Sequence, residues 1–206
     1  MTLLSTAYFP PISWMAIAYQ QKKIGIDLME SYEKQSYRNR CRICSSNGAL
    51  SLVVPVNKPD GNRTITKDIR LDEQVNWRRQ HWRSIKNAYQ SSPFFIYYEE
   101  EIHKLLTDKV DYLWQLNHNI LVFLIKQINF DVFLEYTKSF SKNTEHPDFR
   151  FKIHPKKTEL IHQPPYYQVF DESLGFIGGL SSLDLLFNLG PESLLYLDKL
   201  PLIFEN

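Results

Sequence analysis

The stretch LLSTAYFPPISWMAIAYQQ, residues 3–21, changes its period at the centre. Leu3 to Phe9 reads as a short strand, and Pro10-Pro11 stops it, because proline lacks the N–H that a strand ladder needs. The same pair suits a turn into a helix, since proline is tolerated in a first helical turn. From Ile12 to Gln21 apolar residues fall at 14, 15, 17 and 18, the spacing of a buried helical face. Ile24 to Met29 then reads as a second strand and Gln35 to Cys44 as a third.

Outward from this unit, Ser46-Asn47-Gly48 predicts a hairpin, because Asn-Gly supplies the positive φ angles of a tight turn. It would pair Arg40–Ser45 with Leu50–Val56. Pro59-Asp60-Gly61-Asn62 is the next turn signal, and Thr64 to Leu71 the next expected strand. The pattern then becomes helical. Asn76 is placed to cap a helix from Trp77 to Tyr89, which Ser91-Ser92-Pro93 ends. Phe94–Leu106 and Tyr112–Ile128 follow, the latter with Leu113, Leu116, Ile120, Phe123 and Leu124 on its inner stripe. Residues 131–140 return to strand chemistry, and 141–165, polar and rich in His and Pro, read as an irregular surface segment. Leu183–Leu189 and Glu192–Leu200 form two short helices divided by Gly190-Pro191. The order predicts one α+β domain over residues 1–206. An N-terminal mixed or antiparallel sheet region is followed by a helical region and a mixed α/β C-terminal tail.

The chain has 206 residues, 43% hydrophobic and 23% charged, enough to bury a core without disulfides and too apolar for wholesale disorder. Its longest apolar run, Ile120 to Ile125, is far short of the ~20 residues of a membrane span. No basic, signal-like segment opens the chain, so a cytoplasmic protein is expected. Residues 1–98 hold 14 Lys/Arg against 7 Asp/Glu, and residues 99–206 hold 10 against 16, so a net charge of +1 hides a basic front and an acidic back. A basic region of this kind can draw an anionic ligand. No G-x-G-x-x-G and no P-loop pattern is present. Cys41 and Cys44 form one C-x-x-C with no second ligand pair, and strand alternation sends them to opposite faces. They read as structural, and no metal ligands are assigned.

Three constellations carry candidate chemistry. Tyr37-Arg38-Asn39-Arg40 with Arg42 would place three guanidinium groups on one strand face, suited to phosphate or carboxylate unless acids lie opposite. Trp77-Arg78-Arg79-Gln80-His81-Trp82 places Trp77 and His81 on one helical stripe, and His81 is the general-base candidate by residue type. In the tail, Ser181 or Ser182 can cap a helix whose Asp184 and Asn188 share one face among apolar neighbours. These either bind a ligand or tie the helix to a loop.

Together Tyr8-Phe9-Pro10-Pro11, Tyr37-Arg38-Asn39-Arg40 with Trp77 to Trp82, and Tyr167-Gln168-Val169-Phe170 leading to Leu180 through Pro191 resemble the WbqC-like family. Val54-Pro55-Val56 and Tyr89 to Phe95 fit the same pattern. Relative to longer members the chain looks shortened between about residue 128 and residue 160. Members occur in bacterial O-antigen clusters, and a glycine transferase role has been suggested for one. The resemblance therefore implies a transferase of surface polysaccharide biosynthesis, moving an aminoacyl (glycine) group to a sugar amine or hydroxyl. Acyl transfer needs a base for the acceptor and donors for the developing oxyanion. On that expectation His81 takes the acceptor proton and Asp184 orients it. Arg38 and Arg40 hold phosphate or carboxylate, Asn39, Gln168 and Asn188 read amide or hydroxyl groups, and Tyr8 and Trp77 stack. The partner is an anionic small molecule or sugar. A near-neutral total charge without a recognised motif argues against nucleic acid. The competing class is a non-catalytic binding or assembly protein for an anionic glycan or nucleotide. A metal-dependent nucleotide-sugar transferase is the third, and Glu99-Glu100-Glu101, a solvated helix end, offers it little. Cofactor and oligomeric state are unspecified by the sequence.

Overall fold

A computed structural model describes residues 1–142 and 144–201. The order is β1 (Thr2–Ser5), α1 (Ile12–Gln21), β2 (Lys23–Asp27), β3 (Arg40–Ser45), β4 (Gly48–Val53), β5 (Val56–Asn57) and β6 (Arg70–Leu71). Then come α2 (Trp77–Tyr89), α3 (Phe95–Thr107), α4 (Leu113–Ile128), β7 (Phe133–Tyr136), α5 (Asp171–Leu174), α6 (Ser182–Leu189) and α7 (Ser193–Lys199). The fold is α+β. Its sheets are mixed: β1, β2 and β7 make a parallel sheet in the order β1-β2-β7, while β3-β4 and β5-β6 are antiparallel ribbons.

The N-terminal strand–helix–strand reading is observed as a parallel unit, Thr2 opposite Ile24 and Ser5 opposite Asp27. Gly25 faces Leu3, and a Cβ there would lie 2.8 Å from the Leu3 Cδ2, so glycine lets the Leu3 side chain fold over the strand. β1 ends at Ser5, earlier than expected, because the Tyr8 N–H turns away to the Tyr37 carbonyl at 2.9 Å. Phe9, buried and just ahead of Pro10, is held at φ 39° in the left-handed region that favours glycine. Such strain costs on the order of 1–3 kcal/mol and tends to mark functional turns. The turn is clamped on both sides, by Ser182 N–H to the Pro10 carbonyl and Ile12 N–H to the Leu180 carbonyl.

The hairpin is observed, with Arg40 opposite Val53 and Ser45 opposite Gly48. Its second strand is Gly48–Val53 instead of Leu50–Val56, because Ser46 and Asn47 form the turn and Gly48, at φ 99°, already pairs. The third strand is shorter than predicted. Gln35 takes φ 59° and the Ser36 hydroxyl donates to the Glu33 carbonyl, so residues 35–38 turn and pairing starts at Arg40. Arg38 therefore does not share a strand face with Arg40 and Arg42. The expected strand Thr64–Leu71 is also corrected. Thr66 and Lys67 direct their N–H groups to the Glu30 and Leu28 carbonyls, leaving a 3-10 turn at Thr66–Asp68 and two paired residues at Arg70–Leu71.

The helical middle matches its patterns. α2 buries Trp77, His81, Ile85 and Ala88 at helical spacing, although Asn76 makes no side-chain cap bond. α4 buries the stripe Leu113, Leu116, Ile120, Phe123 and Leu124. Ser181 caps α6 by accepting the Leu183 N–H at 3.3 Å. The described residues of the segment 141–165 are irregular as expected, but they are not all surface. Residues 147–149 run along the outer edge of β1, with Leu3 N–H to Pro147 and Phe149 N–H to Leu3, both 2.9 Å. Phe149 and Arg150 are buried beneath it.

Candidate functional site

The carboxyl ends of parallel strands are where open α/β sheets build ligand sites, because loops diverge there and leave a crevice. In this protein Ser5 ends β1, Asp27 ends β2, and Thr137 follows β7. The three are joined by a buried ionic network. Asp27 accepts from the Thr137 hydroxyl at 2.8 Å and from the Met29 N–H at 2.9 Å, and is ion-paired with Arg150. Arg150 also grips Asp148 at 2.6 Å through one nitrogen and 3.0 Å through another. Beside this pair, Arg38 forks onto Glu30 at 2.6 and 2.8 Å and reaches Glu33 at 3.0 Å. The Ser5 hydroxyl joins the two arginine systems: it accepts from Arg38 at 2.8 Å and lies 2.9 Å from the Arg150 carbonyl.

Burial pushes the Glu30 carboxyl above its ordinary range, and the Arg38 charge and hydrogen bonds oppose that. Burial would also raise Asp148, but its bonds to Arg150 win and hold it below the usual carboxylate range. The hydrogen bonds to Asp148 keep the Arg150 guanidinium firmly protonated.

Two clefts open beside this network. One of about 310 Å³ is lined by Asp27, Tyr136, Thr137, Lys138, His146 and Arg150. Another of about 450 Å³ is lined by Leu28, Met29, Lys67, Trp114, Tyr136 and Lys138. Lys67 and Lys138 are exposed at these clefts. The Tyr136 hydroxyl lies 2.6 Å from the His118 Nδ1, and its ring meets Trp114 edge-on at 5.8 Å. Burial raises the Tyr136 phenol to about 12, so it remains a hydrogen-bond donor at neutral pH. His118 and Trp114 also line a third cleft of about 440 Å³. The edge thus offers two cations, a phenol, a hydroxyl and a half-buried imidazole around concave space. That set can seat an anionic small molecule and move a proton beside it.

The sequence-predicted residues fall into three groups. Tyr8, Trp77 and His81 form the first, with Asn39 near by. The Tyr8 hydroxyl lies 2.8 Å from the His81 Nδ1, the imidazole faces the Val53 carbonyl, and the Trp77 ring stands edge-on at 5.2 Å. Burial lowers His81 to about 4 and raises the Tyr8 phenol, so a neutral imidazole meets a protonated tyrosine. Asn39 donates to the Val54 carbonyl at 2.8 Å, while its Oδ1, the Trp77 Nε1 and the Arg40 Nε are buried without partners. Asp184, Gln168 and Asn188 form the second group. Asp184 accepts from Tyr89 at 2.9 Å, Tyr166 at 2.5 Å and Gln168 at 2.9 Å, and Asn188 donates to the Asp184 carbonyl at 2.8 Å. The Asp184 side-chain bonds tie α6 to α2 and to the tail, whereas the Asn188 bond stays within α6 and its Oδ1 is buried without a partner. Arg38 alone belongs to the strand ends, where two carboxylates already hold it.

The expected orientation of His81 by Asp184 is corrected: each group has different partners, Tyr8 for one and Tyr89, Tyr166 and Gln168 for the other. Asp27, Glu30, Tyr136, His118 and Arg150 were missed by sequence reasoning. One signal was available: Asp27 and Glu30 close the apolar run Ile24 to Met29, where a buried strand needs no charge. Arg150, more than a hundred residues away, gave none.

Among the described residues no three His, Cys, Asp or Glu side chains are placed to hold a metal ion, and no helix is long and apolar enough to cross a membrane. Comparison with curated proteins and with solved structures returns no match. The description "WbqC-like protein family" matches residues 6–159 of 206. The match takes in the Tyr8 turn, the Tyr37–Arg40 segment, α2 and the strand-end network through Arg150, and it stops before the tail motifs. The chain belongs to the WbqC-like protein family.

Proposed function

We propose that the protein is a transferase of bacterial surface polysaccharide (O-antigen-like) biosynthesis, carrying an acyl or aminoacyl (glycyl) group to a sugar, with its anionic substrate seated at the strand ends. The observation that carries the placement is the pairing of a buried Asp27–Arg150 and Glu30–Arg38 scaffold with open clefts lined by Lys67, Lys138, Tyr136 and Thr137. The polysaccharide setting and the glycyl group rest on the family resemblance. In this reading the lysines draw phosphate or carboxylate. With His118 donating its Nδ1–H to the Tyr136 oxygen, the His118 Nε2 takes the proton of the acceptor amine or hydroxyl as it attacks the acyl carbonyl, and the Tyr136 O–H donates to the oxyanion. The tetrahedral intermediate then collapses by breaking the bond to the donor's thiolate or phosphate, which leaves with the proton returned from His118. His81 and Asp184 act as framework, because each is buried and bonded within the protein.

A thermal-shift panel tests this, with coenzyme A, acyl-coenzyme A, nucleotide-sugars, free amino acids and aminoacyl-adenylate analogues. A ligand at a hundred times its dissociation constant adds about 2.7 kcal/mol. At roughly 2–4 °C per kcal/mol for a chain of this size the shift is plain. A shift with an acyl or aminoacyl donor, lost in Lys138→Glu, is the expected result. A shift confined to glycans or nucleotide-sugars, unaccompanied by turnover, would support the alternative of a non-catalytic binding protein. No shift with any ligand would overturn both.

A further inference from the structure

Arg42 takes no part in the strand-end network. Its side chain is half-buried on β3, where the guanidinium reaches the Tyr37 hydroxyl and has Glu159 as its neighbouring acid. Around it stand several other groups that can donate. The Tyr37 hydroxyl lies against the guanidinium and against Glu159, yet it is buried without a hydrogen-bond partner, on a residue 5% exposed. Gln163, 7% exposed, uses its Oε1 to accept the Gly179 N–H at 3.1 Å, while its Nε2 is buried and unpartnered. Ser13, in the first turn of the ten-residue α1, turns its hydroxyl to the Glu159 carboxylate.

One acceptor occupies this ring of donors, the Glu159 carboxylate. The residue is exposed overall, but its acid group dips in over Gly179. A Cβ on Gly179 would stand 2.6 Å from the Glu159 Oε1 and 3.2 Å from an Arg42 terminal nitrogen. Gly179 has φ 68°, so glycine both permits the backbone turn and leaves room for the anion. A single carboxylate has two oxygens to satisfy a guanidinium, two hydroxyls and an amide NH₂, and two of those donors stay unpartnered.

We propose that Arg42, Tyr37, Ser13 and Gln163 form a binding site for a phosphate ester, in which Glu159 is a resident, displaceable stand-in. A phosphoryl group carries more acceptor oxygens and more charge than a carboxylate, and the Arg42 fork matches it. Entry requires that the Glu159 acid group, which dips in from an otherwise exposed residue, swing out. This site is distinct from the clefts at the strand ends: Arg42, Ser13, Glu159 and Gln163 line neither of those. The phosphate could belong to a nucleotide or to a phosphorylated carrier such as coenzyme A, and the test separates these sources.

The test titrates inorganic phosphate, uridine diphosphate and coenzyme A against the full chain by calorimetry. Wild type, Glu159→Ala, Arg42→Met, Arg42→Lys and Tyr37→Phe are compared. Removing the resident anion is expected to tighten phosphate binding by about tenfold or more, and Arg42→Met to abolish it. Arg42→Lys keeps the charge but not the fork, and is expected to fall between. Tyr37→Phe, which removes the hydroxyl beside Arg42 and keeps the ring, is expected to weaken phosphate binding and supplies the test if Arg42→Met does not fold. Tighter binding of the nucleotide than of phosphate alone names the first source, and of coenzyme A the second. Unchanged affinity in Glu159→Ala, retained affinity in a folded Arg42→Met, or no phosphate binding by Glu159→Ala up to about 10 mM would overturn the proposal. The titrations are run in a Lys138→Glu background, which removes the strand-end lysine. The gain on Glu159→Ala and its loss on Arg42→Met are expected to persist there, so the site and the strand-end reading fail separately.

Discussion

Replacing Arg38 by methionine tests the ionic scaffold of the strand ends. Arg38 and Glu30 are both essentially inaccessible, and the pair is bidentate at 2.6 and 2.8 Å. Methionine fills most of the volume but leaves the Glu30 carboxylate with the Ser5 hydroxyl alone, at 3.2 Å. Stranding one member of a buried ion pair costs about 3–5 kcal/mol, whereas replacing both members by apolar groups is often neutral. The single variant should therefore melt roughly 6–20 °C lower at neutral pH. The double variant Glu30→Met/Arg38→Met should recover most of that loss. The pH dependence gives a second check. Burial already raises the Glu30 carboxyl in the folded protein, and loss of Arg38 raises it further. A group raised on folding holds its proton better in the native state, so its stabilisation is present below the unfolded value and lost as pH rises through the folded one. Arg38→Met should consequently be least damaging near pH 5 and most damaging above neutrality. Urea unfolding from pH 5 to 8 measures both. A loss below about 1 kcal/mol, or a double variant as unstable as the single one, would refute the reasoning.

Asp184→Ala strips the acceptor from Tyr89, Tyr166 and Gln168, and at about 1–3 kcal/mol for each stranded buried donor it should cost at least about 3 kcal/mol. The tail between Tyr166 and Phe176 should then become the first site of limited proteolysis, and an unchanged cleavage pattern would contradict that role. His81, depressed to about 4, binds its proton more weakly folded than unfolded, so stability should fall by about 3 kcal/mol as pH drops from about 6.5 to 4. Its imidazole resonances should stay flat from pH 8 to 5, and a midpoint near 6.5 would show that the burial has been misjudged. Burial lifts the Cys44 thiol to about 11 and Cys41 higher still, so neither should react with a disulfide reagent at pH 8 within minutes unless the protein is unfolded. Rapid labelling of either would refute that.

Local chemistry made much of the fold legible. The Pro10-Pro11 stop, the hairpin turn before Gly48 and the helical stripes of α1, α2 and α4 are short-range signals, and the helices stand where these placed them, while β1 and β4 are present with shifted ends. The failures lie where distant chain segments compete for one backbone. Thr64–Leu71 has strand composition, yet its N–H groups bond residues 28 and 30, a pairing no local pattern records. The parallel sheet had the same obstacle, since β7 joins β2 across more than a hundred residues. For the candidate site residues, local sequence names residue types but not their partners. Arg38 reads as an anion ligand until Glu30 folds under it, and His81 as a base until Tyr8 closes on it. Asp184 bonds α6 to its neighbours through Tyr89, Tyr166 and Gln168, partners that no local pattern records. Arg150 sits in a segment whose composition signals only a loop, and its burial follows from Asp27.

Hydrogen–deuterium exchange, with and without the ligand giving the largest thermal shift, tests the placement of the site most directly. The account predicts slowed exchange at the strand ends, residues 5–9, 27–30 and 136–150, with the outer face of α3 unchanged. Protection confined to α3 and α4, or spread evenly over the chain, would contradict it.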